Sequence, residues 1–191
     1  MFEYDKNIPD PKRGDFLISE PFLPDPNFER TVILVCEHNE EGTFGLVLNK
    51  ATDITLNDVM EEDFAFLGKL NLGGPVEHNT LHFLHRTNNS IDGAVELSHK
   101  LNWGGEFEDI KILIETGKVE ESDIKFFIGY SGWGAGQLRE ELDRQSWFLM
   151  PKASSRQVFD MDADDLWKSI LNEMGGKYKV FSNYPSDPRL N

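Results

Sequence analysis

Apolar and polar positions follow two rhythms along the chain, and the rhythm assigns most elements. Phe16-Leu17-Ile18 predicts a short strand, and Thr31–Cys36 (TVILVC) is an unbroken β-branched run, the pattern of a strand buried on both faces. Phe44–Leu48 repeats the pattern after Asn39-Glu40-Glu41-Gly42, and so short a glycine-containing connection predicts an antiparallel hairpin. Asn71–Gly74, Thr80–His85, Ile124–Tyr130 and Trp147–Leu149 complete the predicted strands. Elsewhere the spacing is helical. Thr55 caps a short helix with Leu56, Val59 and Met60, and Asp58 follows three residues after the cap. Phe107, Ile110, Leu113 and Ile114 mark a second helix, stopped by Gly117. Leu138 and Leu142 stand at i, i+4 in a third. Ala163–Met174 forms a fourth, with Asp162 as N-cap, an apolar stripe of Leu166, Ile170, Leu171 and Met174, and Gly175-Gly176 as its stop.

Pro9 and Pro11 within polar residues 1–13 predict an extended N-terminal arm, and Pro21, Pro24 and Pro26 a stiff connection after the first strand. No repeat or linker divides the rest, which predicts a single compact domain over residues 14–191. Helices and strands interleave without strict alternation. That favours an α+β fold, a mixed β-sheet with packed helices, over a regular doubly wound one.

Composition supports a real core. The 191 residues are 39 % apolar and include 14 Phe and 4 Trp, and a chain of this size buries roughly 70 % of its unfolded surface. Charge bears on partners: the net value is −15. Residues 1–95 carry 7 basic and 17 acidic groups and residues 96–191 carry 12 and 17, so neither half offers a basic stripe. Direct nucleic-acid binding, which draws on clustered Lys and Arg, is disfavoured. The lone cysteine, Cys36, excludes an intramolecular disulfide framework and fits a reducing compartment. No stretch approaches the ~18 apolar residues of a membrane span. A cytoplasmic protein without a membrane segment is expected.

Three segments carry candidate chemistry. In VCEHNEEGTFGLVLNK, residues 35–50, strand spacing puts Cys36 and His38 on one face, as a thiolate activated by an imidazole requires. The bland reading makes Cys36 a small buried hydrophobe and His38 a loop anchor. In GYSGWGAGQL, residues 129–138, Gly132, Gly134 and Gly136 admit close backbone approach at a strand-to-helix junction, where helix-start N–H groups favour an anion. A dinucleotide fingerprint fails at Arg139 and a nucleophile elbow at Trp133, where each needs glycine. The bland alternative is a tight turn with Trp133 as a core plug. In LGGPVEHNTLHFLH, residues 72–85, a helix would align His78, His82 and His85 as metal ligands. As a strand, the segment sends His82 and His85 to opposite faces, so no metal site is expected.

These segments, in order and together with GDFLISEPFLPDPNFERT (residues 14–31), resemble the AlgH/YqgE-like family of bacterial proteins, from Gly14 to about Met174. The resemblance implies a mixed α/β domain with a partly barrel-like sheet, a bacterial cytosolic origin and no established catalytic residue. Some members are designated transcriptional regulators, from a link to control of alginate production, and the net charge argues against reading that as direct DNA contact. Ser131 stands where the family pattern commonly has alanine, so a serine nucleophile is not implied.

The leading expectation is a non-enzymatic module binding a protein partner or small ligand, without a cofactor and with an indirect regulatory role at most. Its candidate pocket comprises Cys36, Glu37, His38, Asn39, Gly42, Asn49, Gly73, Gly74, Pro75, Gly132, Trp133, Gly134, Gly136 and Gln137. The alternatives are a thiol- or histidine-assisted hydrolase or transferase using Cys36 and His38, and a regulator that touches DNA itself.

Overall fold

The computed structural model describes residues 8–61 and 63–185; part of the expected N-terminal arm therefore lies outside the described residues. Among the described residues, ten strands form one sheet: β1 (Phe16–Ser19), β2 (Val32–Asn39), β3 (Gly42–Val47), β4 (Ala51–Thr55), β5 (Lys69–Leu72), β6 (Val76–His85), β7 (Val95–Ser98), β8 (Leu101–Trp103), β9 (Ile124–Gly134) and β10 (Trp147–Met150). Six α-helices among the same residues accompany them: α1 (Leu56–Val59), α2 (Phe107–Glu115), α3 (Gln137–Asp143), α4 (Ser155–Phe159), α5 (Ala163–Met174) and α6 (Gly176–Phe181).

The main path through the sheet is β10-β1-β2-β3-β9-β6-β8-β7, and its pairings are antiparallel. A side branch joins β4 to β5, and β5 runs parallel to β9. This is the expected α+β architecture with a mixed sheet. The path ends at β10 and β7 without closing, so the barrel-like character is minor.

Strand alternation sorts side chains to the two faces. Phe16 and Ile18 of β1 and Val32, Leu34 and Cys36 of β2 join Leu166, Trp167, Ile170 and Leu171 of α5 in one buried layer. Leu17, Ile33 and Val35 point the other way, into a layer with Trp133, Leu138, Leu142 and Trp147. A third cluster packs α2, through Ile110, Leu113 and Ile114, against Phe83 of β6 and Phe126 of β9.

β9 is the strand on which the sheet turns. Its far end pairs with β3, Gly42↔Gly134 to Gly45↔Ser131, and its other edge carries β6. Gly129 interrupts the alternation at φ +65°, and a Cβ there would lie 2.8 Å from Val76 O and 2.9 Å from Gly74 O. Only glycine fits that backbone. Phe127 and Tyr130, three residues apart, consequently both pack against the α5 layer.

Candidate functional site

Folding brings the three segments together. The β2–β3 hairpin carries the first, the far half of β9 most of the second, and the Gly73–Val76 turn the third. Val76 opposes Tyr130, and the Ser131 hydroxyl, fully buried, donates to Gly73 O at 3.1 Å. The second segment is mainly strand rather than junction: Gly132, Trp133 and Gly134 belong to β9, and only Gly136, at φ +76°, caps α3. Two grooves flank the hairpin tip and share Asn39, Gly42 and Thr43.

The first groove, about 460 Å3, is lined among others by Glu37, Glu41, Phe44, Val76, Tyr130, Gly132 and Trp133. Phe44 is the hub of its aromatic wall, stacked on Tyr130 at 4.7 Å between ring centres and set against Trp103 and His82, each at 5.1 Å. The Thr80 hydroxyl donates to Glu77 O (2.8 Å) and so accepts from His82 Nε2 (3.0 Å). Burial pushes the His82 pKa down, partly offset by Glu77. The lining thus combines π-faces with two carboxylates and no basic side chain.

The second groove, about 430 Å3, lies between the hairpin tip and α3, with His38, Glu40, Asp10, Gly134, Gly136, Leu138 and Arg139 in its lining. His38 Nδ1 is hydrogen-bonded to Thr43 Oγ1 at 2.6 Å. Arg139 donates to Ile8 O (2.9 Å) and Asp143 and lies 3.5 Å from Asp10, so its charge is already matched by carboxylates. Gln137 Oε1 accepts from the Gly134 N–H, which removes one of the donors that an anion at the α3 start would use.

Cys36 and His38 do not share a face. The β2–β3 register shifts between Val35 and Glu37, a bulge that leaves Cys36 without a cross-strand partner. Cys36 stays in the α5 layer, fully buried, its Sγ 3.6 Å from Leu34 O. His38 pairs instead with Thr43, which opposes Trp133 on the other face. Burial drives the thiol pKa well up, and the Arg13 charge offsets only part of this. A thiolate–imidazole pair therefore does not form.

Several further candidates serve the scaffold. Asn49 accepts from Val32 N–H and donates to Arg30 O, both at 2.9 Å, clasping the start of β2. A Cβ on Gly73 would sit 2.3 Å from Gly129 O, and one on Gly74 equally close to Tyr130 O. Pro75 is exposed beside them. Gln137 and the indoles of Trp133 and Trp147 all donate to the Glu141 carboxylate, at 2.9, 2.9 and 2.7 Å. Trp133 is thus both groove wall and core plug. His82 and His85 do fall on opposite faces of β6, and among the described residues no three His, Cys, Asp or Glu side chains gather as metal ligands. Phe44, Tyr130, Thr43 and Arg139 were not among the expected residues. The usable signal for Phe44 and Tyr130 was their place between the glycines of two strands that pair.

The sequence matches the AlgH-like family, DUF179, over residues 16–179. The chain belongs to that family. A UPF0301 protein of Cytophaga hutchinsonii is 48 % identical over 180 residues, which is 94 % of this chain and 98 % of that one. One from Bacteroides thetaiotaomicron is 40 % identical over 193 residues, covering 100 % and 97 %. Among solved structures, the AlgH-like fold recurs in the Pseudomonas aeruginosa AlgH protein, at TM-score 0.72 and 28 % identity over 94 % of this chain and 98 % of that one. Protein DIP2367 of Corynebacterium diphtheriae gives TM-score 0.76 at 25 % identity, covering 93 % and 95 %. These relatives place the chain among uncharacterised bacterial proteins without assigning a reaction.

Proposed function

We propose that this AlgH-like chain is a non-enzymatic, cytoplasmic binding module whose recognition surface is the hairpin tip between the two grooves. The observation that carries the reading is convergence: three segments spread over about a hundred residues of sequence meet around Asn39, Gly42, Thr43 and Tyr130. The ligand is a small molecule or a segment of a protein partner, and any regulatory role is exercised through that contact. The burial of Cys36 and the bulge that separates it from His38 weigh against thiol catalysis. The net charge of −15 weighs against autonomous DNA contact.

A thermal-shift screen of cytosolic metabolites, run on the wild type and on Glu37→Lys, tests the reading. Glu37 is exposed, so the substitution leaves the fold intact. A ligand that raises the wild-type Tm through preferential binding to the native state and loses that effect in Glu37→Lys supports the hairpin-tip surface. Ligands whose effect is the same in both proteins contradict it.

A further inference from the structure

Strand register leaves the first groove with a floor of backbone. Glu37 of β2 opposes Phe44 of β3, Phe44 opposes Gly132 of β9, and Gly42 opposes Gly134. Cross-strand partners share a face, so this face carries Glu37 and Phe44 beside Gly42, Gly132 and Gly134, which have no side chain to fill it. Tyr130, two residues before Gly132, lies on the same face, and Val76 opposes it on the far side. Gly132 is exposed, and a Cβ there would lie 3.2 Å from Tyr130 Cε2.

The charges around this floor are of one sign. Glu37 and Glu41 are the charged side chains of its lining, and Glu40 lines the second groove; all three are exposed. Among the described residues none of the three joins an ion pair. Asn39 fixes the tip that carries them. Its amide donates to Glu37 Oε1 at 3.3 Å, and its Oδ1 accepts from the N–H groups of Glu41 and Gly42 at 2.8 and 3.2 Å. Arg139, the cation of the neighbouring groove, is already engaged by Asp143 and Asp10. The tip therefore presents unmatched negative charge on a fixed frame.

An occupant that complements this groove brings positive charge to an aromatic and glycine surface. A guanidinium does so better than an ammonium, because it is planar, weakly hydrated and able to fork its N–H groups onto carboxylates. The rim decides the size of the occupant. Glu37, Asn39, Glu41 and Gly132 are all exposed, whereas small-molecule sites bury ~70–90 % of their ligand. The two grooves share Asn39, Gly42 and Thr43, so a chain laid across the tip reaches both.

We propose that the hairpin tip docks an arginine-bearing segment of a partner protein, its guanidinium seated in the first groove against Glu37 and Glu41. This rests on the tip being the recognition surface and commits that surface to one chemistry. The net charge of −15 speeds the approach of such a segment, and the paired grooves set where it lands.

Amide NMR of the full chain, titrated with acetyl-Gly-Ser-Arg-Ser-Gly-amide and with its citrulline and lysine counterparts, tests the proposal. The arginine peptide is expected to shift the amides of residues 37–44 and 130–134. Citrulline, an uncharged isostere, is expected to bind about tenfold more weakly. Glu41→Gln should weaken the arginine peptide about fivefold. Glu115→Gln, which removes the same charge from the exposed end of α2, should leave its affinity unchanged. Equal affinity for arginine and citrulline, tighter binding of lysine, or equal losses in the two variants overturns the proposal. Free arginine amide binding as tightly as the peptide overturns the partner segment. A neutral or anionic hit from the thermal-shift screen that maps to the tip, with no response to millimolar arginine peptide, overturns this inference alone and leaves the recognition surface standing. No tip response to either overturns both.

Discussion

At the scale of single residues, the reactive side chains of this protein are spent on packing. Cys36 is fully buried with its thiol pKa raised by desolvation, so little thiolate forms near neutrality. Iodoacetamide is therefore expected to leave the native protein unmodified and to alkylate Cys36 only in denaturant; stoichiometric native labelling would restore the thiol reading. His85 is 2 % exposed, and neither ring nitrogen has a well-formed hydrogen bond. Burial lowers its pKa, and the Gly104 backbone offsets only part of this; His82 shifts the same way. Both imidazoles are thus held neutral when folded and protonate more readily when unfolded. Their contribution to stability is complete above the unfolded pKa of 6.5 and is lost as pH falls below it toward the folded values. Thermal unfolding from pH 7.5 to 5.5, where carboxylates stay ionised, should show a falling Tm. The fall should shrink in His85→Leu, by about 2–4 °C for each kcal/mol of linkage removed. An unchanged slope in that variant would contradict the assignment.

Elements differ in how plainly the sequence announced them, for physical reasons. β1, β2, β3, β9 and β10 each carry an apolar or β-branched run, fully buried in β1 and the first half of β2, whose composition leaves few other solutions, and the β2–β3 hairpin follows from its short glycine-bearing connection. β4 (ATDIT) is mostly exposed, and β7 and β8 have four and three residues, too few for a rhythm to show. α4 did carry a signal that the apolar rhythm misses, the Ser154–Gln157 capping box. α6 begins directly after Gly175, at the glycine pair that reads as a stop. The candidate site was legible as a set of segments but not as side chains. One bulged residue in β2 takes His38 off the face that regular alternation would have it share with Cys36, and Gly129 turns Tyr130 toward Phe44. The link between β9, α3 and β10 also escapes local rules: Glu141 accepts from two indoles of different strands. Glu141→Ala leaves both N–H groups without their acceptor and should cost about 2–4 kcal/mol. Urea unfolding measures this, and a loss below 0.5 kcal/mol would show the carboxylate to be dispensable.

For the whole molecule, the AlgH-like domain is a sheet whose middle strands are locked between helical layers, with the recognition surface we propose at one hairpin tip. Its net charge of −15 disfavours a phosphate backbone as a direct partner. Among the described residues no helix is long and apolar enough to cross a membrane. The grooves are preformed by core contacts, since Phe44, Tyr130 and Trp133 are held by ring packing and the Glu141 hydrogen bond. The binding we propose at the tip would therefore require little rearrangement of the scaffold. The most direct measurement is a backbone-amide NMR map with a ligand from the thermal-shift screen, recorded on the wild type and on Glu37→Lys. The account predicts shifts concentrated at residues 37–44 and 130–136 in the wild type and absent from Glu37→Lys. Shifts confined to other surfaces, or identical in the two proteins, would contradict it.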